Sequence, residues 1–126
     1  MKLLNALLGN AAEVPPAELQ AEFSRLLMSE EHIVRGYRLV RDVFMFTERR
    51  LLLVDKQGIT GKKIEYMSIP YRAIMRFSVE TAGTFDLDAE LKIWVSGTPE
   101  PVCRNFSKGV DVYQVQSLLA KAVCGK

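Results

Sequence analysis

Val43-Phe44-Met45-Phe46-Thr47-Glu48-Arg49-Arg50-Leu51-Leu52-Leu53-Val54 is the stretch on which the fold turns. Two short apolar runs flank a charged break, and each run is too short for a helix of its own. Val43 to Thr47 reads as one strand and Leu51 to Val54 as the next, with Glu48-Arg49-Arg50 turning the chain between them. The second run is apolar throughout, the pattern of a strand covered on both faces.

Working outward, a period of two persists in both directions. Upstream, Ile33, Arg35, Tyr37 and Leu39 fall on one strand face and Val34, Gly36, Arg38 and Val40 on the other, with Arg41-Asp42 as the turn. Downstream, Asp55-Lys56-Gln57-Gly58 and Gly61 supply turn chemistry. Lys63 to Met67 then alternates as a fourth strand, and Pro70 stops it. Met75, Phe77 and Val79 alternate with Arg76, Ser78 and Glu80 in a fifth strand. Leu87, Ala89, Leu91, Ile93 and Val95 oppose Asp88, Glu90, Lys92 and Trp94 in a sixth, and Val102 to Phe106 is a seventh. Turns of this length cannot join parallel neighbours, so the strands form an antiparallel meander.

The period is helical at both ends. Leu19, Phe23, Leu26 and Leu27 make a stripe over 15–28, and Val112, Val115, Leu119 and Ala122 make one from Asp111 onward, with Asp111 or Ser107 as the cap. Leu3, Leu4, Leu7 and Leu8 lie at helical spacing in a third segment, which packs on its own domain, on a neighbouring subunit or on a membrane surface. The expected organisation is a single domain over 1–126: a helical extension over 2–28, strands over 32–106, and a helix over 110–124 covering the open end of a curled sheet.

Composition narrows the function. A net charge of +2 on 126 residues argues against a nucleic-acid partner, which calls for a strongly basic face. No apolar run approaches the roughly 20 residues of a spanning helix, and the start lacks the long apolar core and cleavage site of a signal peptide. Cys103 and Cys124 read as two reduced thiols of a cytoplasmic protein.

Catalytic candidates fail one by one. His32, the only histidine, borders a strand beside Glu30 and Glu31 and reads as a solvated polar residue. Cys103 has Arg104 beside it, but neighbours along a strand point to opposite faces. Asp86, Asp88 and Glu90 share one strand face; with no loop of oxygen ligands beside them, they read as a charged edge or a strip meeting a basic neighbour, not a metal site. No catalytic residue, cofactor or metal is expected. Arg49, Arg50, Lys56, Lys62 and Lys63, with Arg38 and Arg41 at an earlier turn, form a basic region. It reads either as solvated surface or as a surface for a protein partner or anionic lipid.

A resemblance emerges from longer runs: Arg41 to Thr47, Leu51 to Lys63, Ser68-Ile69-Pro70-Tyr71, Phe77 to Gly83 and Phe85 to Trp94. Over nearly the whole chain these resemble the bacterial pleckstrin-homology-like family. The resemblance implies a mainly β, α+β fold: a split, curled seven-stranded antiparallel barrel capped by a C-terminal helix. It also implies single-domain members that close into cyclic homo-oligomers, pentamers in form, with a polar surface for a protein partner. In eukaryotic relatives, lysines and arginines around the first strand turn clamp phosphoinositide headgroups. Here that turn reads Arg38-Leu39-Val40-Arg41-Asp42 and lacks the lysine-rich part of the pattern.

Two functional expectations follow. One is a non-enzymatic self-assembling scaffold, with Leu3, Leu4, Leu7, Leu8, Asp86, Asp88 and Glu90 as candidate subunit contacts. The other is anionic-lipid binding at the membrane periphery through Arg38, Arg41, Arg49, Arg50, Lys56, Lys62 and Lys63.

Overall fold

The computed structural model describes residues 12–58, 62–81, 88–107 and 109–125. The expected helix at Leu3 to Leu8 lies outside the described residues, as does Asp86. The chain divides into two compact units, 1–68 and 69–126.

The first unit is built on β1 (Ala12–Val14), α1 (Pro16–Glu22), a 3₁₀ turn (Ser24–Leu26), β2 (Ile33–Arg38), β3 (Asp42–Thr47), β4 (Arg50–Gln57) and β5 (Lys63–Pro70), the last two residues of which fall past the boundary. The strands lie in sequence order in one antiparallel sheet, β1-β2-β3-β4-β5. The register sets Phe44 against Leu53, Met45 against Leu52 and Phe46 against Leu51. All six are buried, so the two central strands are covered on both faces, as the apolar runs predict.

One face of this sheet carries Ile33, Val43, Met45, Leu52 and Val54, onto which Val14 and Leu19 pack, with Phe23, Leu26 and Leu27 at the margin. The segment over 15–28 is a two-turn helix and a 3₁₀ turn in place of one continuous helix. Ala12–Val14, expected inside a helical extension, is a strand paired with Arg38, Tyr37 and Gly36. That brings the described strands to eight, one more than expected. Three residues are too few for an alternation to show, and the pairing partner supplies the order. Gly36 lies under the helix: a Cβ there would overlap Leu19 Cδ1 and crowd Met45 Cγ at 3.3 Å. The missing side chain lets Leu19 reach the sheet.

The second unit comprises a 3₁₀ turn (Tyr71–Ala73), β6 (Ile74–Thr81), β7 (Asp88–Val95), β8 (Val102–Ser107) and α2 (Val112–Cys124). Its three strands form a separate antiparallel sheet, β6-β7-β8. Leu91, Ile93, Ala89 and Phe106 are buried on the face opposite Lys92 and Trp94. The α2 helix presents Val112, Val115 and Leu119 inward, and Asp111 caps it by accepting from the N–H groups of Tyr113 and Gln114 at 3.1 and 3.3 Å. Among the described residues the hydrogen-bonded strands form two antiparallel sheets, of five and three strands, in keeping with the expected split arrangement and not a closed barrel.

Two β-bulges correct the face assignments read from alternation. In β2 the register shifts between Ile33, opposite Thr47, and Arg35, opposite Phe46. Ile33 therefore faces the helix with Gly36, on the side opposite Arg35 and Tyr37. Val34 is the extra residue and is 52% exposed. In β6 the same shift between Ile74 and Arg76 puts Ile74 in the interior and leaves Met75, expected beside Phe77, 68% exposed. Two residues opposing one on the partner strand reset the alternation.

Candidate functional site

The cations that look like one basic region divide into different environments. Arg50 is drawn inward. Its Nε and one terminal nitrogen grip the Glu31 carboxylate as a fork, each at 3.0 Å, and it also donates to the Leu26 carbonyl at 2.6 Å and Ser68 Oγ at 2.8 Å. Thr47 Oγ1 donates to Glu31 at 2.7 Å while accepting from the N–H groups of Arg49 and Arg50, which shapes the β3–β4 turn. The Met28 N–H donates to the same carboxylate at 3.0 Å. Burial pushes the Glu31 carboxyl up, but the Arg50 fork, the Met28 N–H and the Thr47 hydroxyl outweigh it and hold the pKa at about 2. The chain reaches this carboxylate through a turn in which Glu30 takes φ 67°, a left-handed conformation.

Arg38 pairs with Glu22 and, at 3.6 Å, with Glu18 of α1. Arg41 donates to the Gly58 carbonyl, tying together two strand connections. Arg49, Lys56, Lys62 and Lys63 are exposed. His32 is exposed too: its backbone N–H donates to Glu48 at 2.7 Å and its Nδ1 lies 3.3 Å from the same carboxylate. That N–H bond is the main reason the Glu48 carboxyl is held below its usual range.

Among the acidic candidates, Asp88 lies opposite Ser107, and Glu90 lies between Glu80 and Asn105 on neighbouring strands. Lys92 approaches Glu90 at 3.8 Å. On the same face Arg76 stacks over the Trp94 ring at 4.2 Å, a cation–π contact between directly opposed residues. Cys103 and Cys124 are free and exposed.

A feature that charge and motif reasoning misses lies within the first unit. Where the helix and 3₁₀ turn stop covering the sheet, a groove of about 500 Å³ remains. Val43 and Val54 form its floor, Phe23 and Leu26 one wall, and Ile64 and Tyr66 of β5 the other. Arg25, Lys56 and the Arg38–Glu22 pair stand around it. Ile64 is 39% and Tyr66 49% exposed, although both are large and apolar in body. The signal was present in the alternation of Lys63 to Met67, but alternation alone does not say that the described residues leave Ile64 and Tyr66 exposed. The same strand ends its sheet, with exposed residues on both faces.

Comparison with known proteins gives a consistent result. The family model for the bacterial PH domain matches residues 2–123. The uncharacterised protein YjqA of Bacillus subtilis is 53% identical over 125 residues, covering 98% of this chain and 99% of its own length. A crystal structure of a DUF1696 family protein with a pleckstrin-homology domain from Shewanella loihica superposes with a TM-score of 0.80 at 50% identity, covering 91% of this chain and 98% of that one. A crystal structure of a pleckstrin homology domain from Shewanella amazonensis gives 0.79 at 52% identity, covering 96% and 98%.

Proposed function

Because this chain belongs to the bacterial PH domain family, we propose that it is a non-enzymatic binding module that assembles with copies of itself into a closed ring and offers a polar surface of that ring to a partner protein. The ring is pentameric in the form the family resemblance implies, and its setting is the cytoplasm. The observation that carries the reading is the distribution of exposed large apolar side chains. Val34 and Val40 stand on the first unit, Met75 and Tyr113 on the second. A ring closed by head-to-tail contact needs two different patches on each copy, and large exposed apolar side chains are what such patches require.

Sedimentation velocity with light scattering tests it. One species of fixed mass, a whole multiple of the 14.2 kDa chain, over a hundredfold concentration range is the expected result, and Met75→Asp should shift it to smaller species. A strictly monomeric chain would sink the proposal. A second reading, attachment to anionic lipid, is supported by Lys56, Lys62 and Lys63, which are exposed and carry no ion pair among the described residues. Co-sedimentation with phosphatidylglycerol vesicles at low salt, where charge attraction is least screened, tests that reading.

A further inference from the structure

We infer that the groove between the α1–3₁₀ layer and β5 binds a free single-chain amphipathic anion, an acyl carboxylate, with its chain on the Val43–Val54 floor and its head between Arg25 and Lys56. The proposal stands independently of ring assembly.

Shape and lining come first. At about 500 Å³ the groove falls within the range of small-molecule sites, which pair apolar walls with a few placed polar groups. Here the apolar groups are Phe23, Leu26, Val43, Val54, Ile64 and Tyr66. None of the five aliphatic and phenylalanine side chains offers a hydrogen bond, and the backbones of β3 and β4 beneath them are engaged in the sheet ladder. A polypeptide segment laid on this floor would bury amides without partners, at a cost of roughly 1–3 kcal/mol for each. An alkyl chain carries no such groups and gains on every methylene it buries.

Charge settles the head. Four charged side chains line the groove: Glu22, Arg25, Arg38 and Lys56. Glu22 and Arg38 pair with one another. Arg25 and Lys56 make no ion pair or hydrogen bond with any described residue, so the uncompensated charge is positive at both. A carboxylate head complements it; an amine is repelled. The Leu3 to Leu8 segment of a second copy, the other apolar candidate in the sequence, brings Lys2, the wrong sign for this site.

The test uses the full chain and the fluorescent probe 11-(dansylamino)undecanoate below its micellar concentration, with dodecanoate, dodecylamine and phosphatidylglycerol vesicles as competitors. Saturable one-to-one binding is expected, displaced by dodecanoate and not by dodecylamine. Lys56→Gln and Arg25→Gln should each weaken it about tenfold, the scale of one charge-assisted contact. Ile64→Glu, at an exposed position, should abolish binding by setting a carboxylate at the mouth, whereas Ile64→Gln should retain most of it. Thermal unfolding of each variant confirms that the fold persists. Equal displacement by dodecylamine, full binding in Ile64→Glu, or vesicle binding without dodecanoate binding would each overturn the assignment.

Discussion

Replacing Glu31 by Gln probes how the first unit is held. The carboxylate anchors the Met28 N–H, the Thr47 hydroxyl and the Arg50 fork, and through Arg50 it reaches Leu26 and Ser68. Its pKa falls from 4.5 to about 2 on folding, which corresponds to roughly 3 kcal/mol at neutral pH. Because the folded pKa is the depressed one, that stability is complete above pH 4.5 and is lost as pH falls toward 2. About half remains at pH 3. Glutamine keeps the shape but not the charge, and leaves Arg50 facing a neutral amide. Breaking a buried pair from one side costs about 3–5 kcal/mol, so the two routes to the magnitude agree. Urea unfolding of both proteins should therefore show a gap of roughly 3 kcal/mol at pH 7, narrowing to about half of that at pH 3. A gap under 1 kcal/mol at pH 7, or one that does not narrow with acid, would refute the account.

Other expectations rest on single contacts. Gly36→Ala should destabilise by about 1–3 kcal/mol because the new methyl meets Leu19, and in the Leu19→Ala background the same change should cost much less; a double-mutant cycle by urea unfolding measures the coupling. Asp111→Ala should remove about 1 kcal/mol by uncapping α2, read from the unfolding midpoint. Glu30→Gly should stabilise by up to about 1 kcal/mol, since the backbone there is left-handed and the side chain contributes no contact described above, with calorimetry as the check.

The sequence was most informative where burial and alternation coincide. Phe44 to Val54 announced two central strands because a strand covered on both faces cannot be polar. The C-terminal helix was legible from Val112, Val115 and Leu119, and its cap from Asp111. What escaped notice was non-local. Nothing near Arg50 signals that it belongs to Glu31, because its partner lies 19 residues away and the turn chemistry of Thr47 brings them together. The groove was equally hidden: Ile64 and Tyr66 look like any half-buried alternation, and among the described residues the helical layer above Val43 and Val54 stops short of them. Ala12–Val14 is too short to declare itself and takes its conformation from β2.

The bulges at Val34 and Met75 make each of these strands locally dispensable at one position. A strand is ordinarily the worst place to lose a residue, because every side chain beyond the deletion changes sides. At a bulge the arithmetic reverses. With Val34 removed, Ile33 and Arg35 become consecutive and still meet Thr47 and Phe46, each on the side it already occupies. The same holds for Ile74 and Arg76 without Met75. Each sheet thus contains a splice point at which chain length can change by one while the polarity of the whole strand is conserved, so indels, and not only substitutions, are open to this fold inside its strands.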